Sequence, residues 1–218
     1  MLILNSKQLG KFDLPKAKQF VDYWGKPYSY ASVKDYNTGK VIDYIEELNL
    51  GNRLSEQNIK RLLRWKDSHM LTEKILSGPD KGKNNIKVLK ILEEQKSINR
   101  FRQGDIRIEE FKITTEKIFP NGFVWQIFLF HIARPFEFPI ADRNVFRTFS
   151  IHKNTMIPKD WEGYKDFMDY FFQIAIFAGI ITKKPTGNEL DLKEIVKRLK
   201  RVDNALVAFG QFLSSYRK

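Results

Sequence analysis

The chain has 218 residues, 42% of them hydrophobic, with 18 Phe, and 38 Lys and Arg against 26 Asp and Glu for a formal net charge of +12. That apolar content suffices for a packed core and excludes a disordered chain. Cysteine is absent, which excludes disulfides, thiolate catalysis, Cys-ligated zinc and iron–sulfur clusters.

The basic excess points to a polyanionic partner, because Lys and Arg contacts release the counterions condensed on phosphates. Histidine occurs only at His69, His131 and His152, without ligand spacing, so no His-based metal site is expected; no cofactor is expected for the chemistry. The apolar run Met1-Leu2-Ile3-Leu4 is too short for a signal-peptide core. The longest apolar stretches, residues 123–133 and 170–181, are too short to span a bilayer. The expectation is a soluble cytoplasmic protein, nucleoid-associated if prokaryotic, with no membrane contact.

Residues 1–4 are the one plausible strand. Residues 16–24 read as a short amphipathic helix, and residues 27–39, rich in Tyr, Ser, Asn and Gly, as a loop. Apolar residues at 41, 42, 45, 48 and 50 predict a helix over 41–50, stopped by Gly51-Asn52. Ser55 caps a helix over 56–69, with Ile59, Leu62, Leu63 and Met70 on one side. The run Gly78-Pro79-Asp80-Lys81-Gly82-Lys83-Asn84-Asn85 breaks the pattern. A helix over 86–101 follows, with Val88, Leu89, Ile91 and Leu92 as its apolar face. Gln103-Gly104 ends it, and Asp105 caps a helix over 106–118.

Phe119-Pro120-Asn121-Gly122 has the composition of a tight turn. Residues 123–133 are apolar nearly all round and predict a buried central helix, with Trp125 in the core and His131 as a hydrogen-bonded core histidine. Two prolines in 134–139 prevent its continuation. Asp142 caps a helix over 143–151. A loop with Pro158 leads to an aromatic helix over 161–178, ended by Gly179. After a loop at 183–188, a last helix over 191–214 carries apolar residues at helical spacing, and Asp203 within it pairs with an inner arginine. The expected fold is all-α, with two poorly separated lobes: 1–36 with 151–218, and 37–150.

Asp142 stands in Pro139-Ile140-Ala141-Asp142-Arg143-Asn144-Val145-Phe146-Arg147. One role for it is plain: an N-cap carboxylate that accepts backbone N–H bonds. The other is chemical, a rigidly held carboxylate facing a developing cation. The two are compatible.

The segment from Glu110 to Arg147 resembles the helix-hairpin-helix superfamily of base-excision DNA glycosylases, over about a fifth of the chain. Phe119-Pro120-Asn121-Gly122 looks like the family's hairpin turn, residues 123–133 like its second hairpin helix, and Phe138 to Arg147 like its proline–apolar–aspartate signature. The resemblance implies a two-lobed helical fold, and it implies that Asp142 is catalytic. It also implies that the partner is a DNA duplex with a lesion or mismatch. Such enzymes flip the damaged base out of the stack, and the hairpin around Pro120, Asn121 and Gly122 would anchor phosphates. The chain departs from the family in three ways. The turn has one glycine where the family has two, no lysine opens the second hairpin helix, where Phe123 stands, and the cysteine cluster of some members is missing. These departures imply either a monofunctional, water-using relative or a scaffold without the chemistry.

Arg143, Arg147 and Lys153 read as phosphate-holding cations or as a solvated helix face. Trp65 and Trp24 are candidates for stacking on a base, or else core residues. Two other readings stand beside the glycosylase. One is a non-catalytic DNA- or RNA-binding module on the same scaffold; the other is a helical interaction protein of a defence system.

Overall fold

The computed structural model describes residues 13–25, 34, 38–67, 71–187 and 191–215. The strand expected at 1–4 and most of the loop expected at 27–39 lie outside these residues. In chain order the helices are α1 (Ala17–Trp24), α2 (Tyr44–Glu47), α3 (Glu56–Lys66), α4 (Ile86–Glu93), α5 (Gln95–Gln103), α6 (Ile108–Ile118), α7 (Phe123–Ala133), α8 (Arg143–Lys153), α9 (Trp161–Phe177) and α10 (Leu192–Ser215). Among the described residues there is no named strand, only two isolated bridges, Lys34 with Val41 and Lys74 with Asn84. The fold is all-α. No helix among these residues is long and apolar enough to cross a membrane.

The chain divides into two compact units, one of residues 1–29 with 135–218 and the other of residues 30–134. The second cut falls ahead of α8, so α8 belongs with α9 and α10.

The unit of residues 30–134 is built round α7, whose residues from Gln126 to Ala133 are all buried. Phe101 of α5, Phe111 of α6 and Phe130 of α7 form one ring cluster. Phe101 and Phe111 stack at 4.3 Å, and Phe130 meets them edge-on at 5.0 and 4.8 Å. The Arg102 guanidinium donates to the carbonyls of Ile132 at 3.0 Å, Leu48 at 2.7 Å and Asn49 at 2.9 Å. It thereby satisfies carbonyls that α2 and α7 leave open at their C-terminal ends. Burial lowers its pKa to about 10, so it stays charged.

Three helices differ from their sequence patterns. The helix expected over 41–50 shrinks to four residues, because Asp43 accepts from the N–H groups of Ile45 and Glu46 and sets the start. Left-handed backbone at Asn49 and Gly51 ends it. The single helix expected over 86–101 is two, broken at Glu94, whose φ of −89° and ψ of 10° leave the helical region. Asp105 does not cap α6; the Glu110 carboxylate accepts from the Arg107 N–H at 2.9 Å, so Arg107 is the capping position.

In the other unit α8 lies against α10. A methyl group on Gly210 would come within 2.2 Å of the Asn144 carbonyl oxygen. Thr148 Oγ1 donates to the Leu206 carbonyl at 2.7 Å. Asp203, buried in α10, accepts from Lys200 one turn earlier, a lysine where the sequence suggested an arginine. His152 is buried, bonded through Nδ1 to the Tyr170 hydroxyl and packed against Phe20 and Phe209 at 5.1 and 5.2 Å.

Two expectations follow from this packing. Gly210→Ala should destabilise by about 1–3 kcal/mol in denaturant unfolding, although alanine favours a helix by roughly 1 kcal/mol over glycine. A neutral or stabilised variant would contradict the close approach. Burial lowers the His152 pKa to about 3, below the 6.5 of the unfolded chain, so the unfolded state binds more protons between these values. Stability should therefore fall as pH drops through that window, with a slope approaching about 1.4 kcal/mol per pH unit. A His152→Phe variant should lose that part of the slope, and an unchanged slope would contradict the assignment.

Candidate functional site

Asp142 sits between two anchored pieces of backbone. Before it, the bend at Pro139–Ala141 is buried, and the Pro139 carbonyl accepts from the Tyr164 hydroxyl at 2.7 Å. Tyr164 is fully buried, and burial pushes its pKa well up, so the hydroxyl keeps its proton. After it, α8 is fastened to α10. Asp142 itself is extended, with φ −138° and ψ −176°, as a capping residue should be.

The N–H groups of Asn144 and Val145 both donate to Oδ1 of Asp142, at 2.7 and 2.9 Å. Among the described residues Oδ2 accepts no hydrogen bond. The side chain is half-buried. One oxygen therefore orients the carboxylate, and the second can accept a proton or face a positive charge.

The three basic residues of this helix have different surroundings. Arg143, the first helical residue, is exposed, and among the described residues its guanidinium has no partner. Arg147 is turned inward: Nη1 donates to Asn144 Oδ1 at 2.9 Å, to the Gly210 carbonyl at 3.1 Å and to Ser214 Oγ. It joins α8 to α10, and that role removes it from the phosphate-holding set. Lys153 is exposed at the far end of α8, about 15 Å along the axis from Arg143.

In the other unit, α6 and α7 are joined by the turn Phe119–Gly122. The Gly122 N–H and the Gln126 side chain both donate to the Phe119 carbonyl, at 3.1 and 2.7 Å. This closes the turn and caps α6. Pro120 and Asn121 are exposed at its tip. Pro120 has no N–H, and the Gly122 N–H is already bonded. The Asn121 N–H, which has no acceptor among the described residues, is the donor left for an anion. Gly122 has a negative φ of −112°, outside the left-handed region; its lack of a side chain matters because a Cβ would lie 3.1 Å from Phe119 Cβ.

Both tryptophans are half-buried in ring contacts. Trp65 stacks on Tyr44 at 4.2 Å, and the Tyr44 hydroxyl bonds Nε2 of His131 in the core. Trp24 packs against Phe209 and Phe212 at 5.1 and 5.0 Å. Trp125, expected in the core, is also half-buried.

Sequence reasoning does not single out Tyr164 or Gly210, which fix Asp142 from either side. The available signal for Gly210 is an isolated glycine inside an apolar helical pattern, a mark of close packing. Tyr164 carries no such signal. Comparison of the chain with protein-family models, curated proteins and solved structures finds no match.

Capping and chemistry at Asp142 separate by substitution. Asparagine caps as well as aspartate, so Asp142→Asn should stay within about 0.5 kcal/mol of the parent. Asp142→Ala should lose about 1 kcal/mol, or roughly 2–4 °C in Tm. Equal losses in thermal unfolding would contradict the capping geometry.

Proposed function

We propose that this chain binds duplex DNA and releases a modified or mispaired base by hydrolysis, with Asp142 as the catalytic carboxylate. The observation that carries this reading is the one-sided hold on Asp142, with Oδ1 fixed by two N–H groups and Oδ2 unbonded. A carboxylate positioned in advance stabilises charge that develops in the transition state without reorganising.

The target nucleotide leaves the stack, because its glycosidic bond is inaccessible within it. The C1′–N bond breaks and its electron pair leaves with the base. The sugar acquires positive charge opposite Asp142. Water adds to C1′, its proton passes through Oδ2 to solvent, and the departing base takes up a proton from solvent. The products are a free base and an abasic site. The exposed guanidinium of Arg143, in the same unit as Asp142, is the group assigned to a phosphate.

A non-catalytic DNA-binding module is the second reading. It is favoured by the capping bonds of Asp142, which alone account for an aspartate at this position.

The experiment is single-turnover base release from a panel of duplexes, each with one damaged or mispaired base. The parent chain should generate abasic sites on at least one. Asp142→Asn should abolish release while binding the same duplex at least as tightly, since it removes a negative charge. Binding without release anywhere on the panel would select the second reading. Release at an undiminished rate in Asp142→Asn would discard the mechanism. Duplex affinity should fall steeply with salt, with a log–log slope near −0.9 per phosphate neutralised; a flat dependence would discard both readings.

A further inference from the structure

Within the unit of residues 30–134, a groove of about 1010 Å³ lies between α3, the segment from Thr72 to Asn84 and α4. The segment folds back on itself. Ile75 N–H donates to the Lys83 carbonyl at 3.0 Å, Gly82 N–H to Ile75 at 2.9 Å and Asn85 N–H to Glu73 at 2.8 Å. These bonds give the groove a backbone wall.

Its cations are Lys60, Arg61, Arg64, Lys74 and Lys81. Four are already oriented by neighbours. Lys60 lies 2.7 Å from Glu73 and 3.7 Å from Glu56, and Arg61 lies 3.0 Å from Glu47. Arg64 Nε donates to the Lys34 carbonyl, and Lys74 to Asn84. The hydrogen bond that Lys60 donates to the Glu73 carboxylate raises the lysine's pKa, so this ammonium stays charged. Lys81 is exposed, and among the described residues its ammonium has no partner.

The floor is different. Ile75, Leu76, Leu89 and Leu92 line it, and Leu89 is 41% exposed although it belongs to the apolar face of α4. Glu56, Glu73 and Glu93 supply carboxylates along the same lining.

This mixture decides between two anionic ligands. An extended nucleic-acid strand presents a phosphate at every step, and three carboxylates along its path would repel it. A compact ligand with phosphates at one end, a flat apolar group at the other and hydroxyl or amino donors between them uses all three kinds of lining. Arginine and lysine take the phosphates, the leucines and isoleucines cover the flat group, and the carboxylates accept from the donors. The volume is at the upper end of the range for small-molecule sites. We infer that this groove is a binding site for a nucleoside phosphate.

The test is calorimetric titration of the full chain with adenosine triphosphate, inorganic triphosphate, adenosine and a short single-stranded oligonucleotide. Adenosine triphosphate should bind at one site and at least about tenfold more tightly than either of its halves. The double variant Lys74→Gln/Lys81→Gln should weaken it by at least about tenfold. Leu89→Glu, which changes an exposed floor residue, should do the same while leaving Tm unchanged. No binding at about 1 mM nucleotide would overturn the inference. So would equal affinities for adenosine triphosphate and inorganic triphosphate with Leu89→Glu without effect, which would describe a plain anion patch. An oligonucleotide whose binding is weakened by Lys74→Gln/Lys81→Gln and by Leu89→Glu, with no binding of the nucleotide, would assign the groove to a strand instead.

Discussion

The backbones of α8 and α10 approach so closely at Gly210 that no other residue fits between them without movement. Much else in this unit follows from that contact. Thr148 and Arg147 can reach carbonyls of α10 because the two helices are this near. The first residues of α8 are held in place, and with them the two N–H groups that grip Asp142. On the other side Tyr164, sealed in the core, fixes the Pro139 carbonyl. Asp142 is thus anchored from both directions, and the free oxygen of its carboxylate is placed by the contacts that hold the backbone on either side of it.

The same contact explains a division of labour among the basic residues. Arg147 fastens α8 to α10 through two acceptors, the Gly210 carbonyl and Ser214 Oγ, and its charge-assisted bonds contribute rigidity. Arg143, four positions earlier on the same helix, is exposed. Counting cations along a helix gives both the same weight; the packed surface separates them.

Much of the fold was legible because its signals are local. Ser55 and Asp142 each precede an apolar helical pattern and each caps it, and the apolar girdle of residues 123–133 announced a buried helix. The turn at 119–122 followed from its Pro-Asn-Gly composition. What escaped depends on distant partners or competing local bonds. The break at Glu94 has no Gly or Pro to mark it. Asp43 cuts α2 short by taking N–H groups inside the expected helix. Arg102 reads as a surface residue of α5 until the carbonyls of Leu48, Asn49 and Ile132 are brought to it. At the candidate site, Asp142 was visible as a capping acid, whereas Tyr164 and Gly210 were not, because each acts through a contact at least 25 residues away in sequence.

In the proposed hydrolysis the unbonded oxygen of Asp142 would face a sugar that becomes positive. This pairing is tested most directly by comparing affinities for two duplexes that differ at one site, one with a protonated pyrrolidine in place of the sugar, the other with a neutral tetrahydrofuran of the same shape. The cationic ring should bind more tightly, by about 100-fold or more as for other transition-state mimics, and Asp142→Asn should erase that preference. Equal affinity of the parent chain for the two duplexes would contradict it.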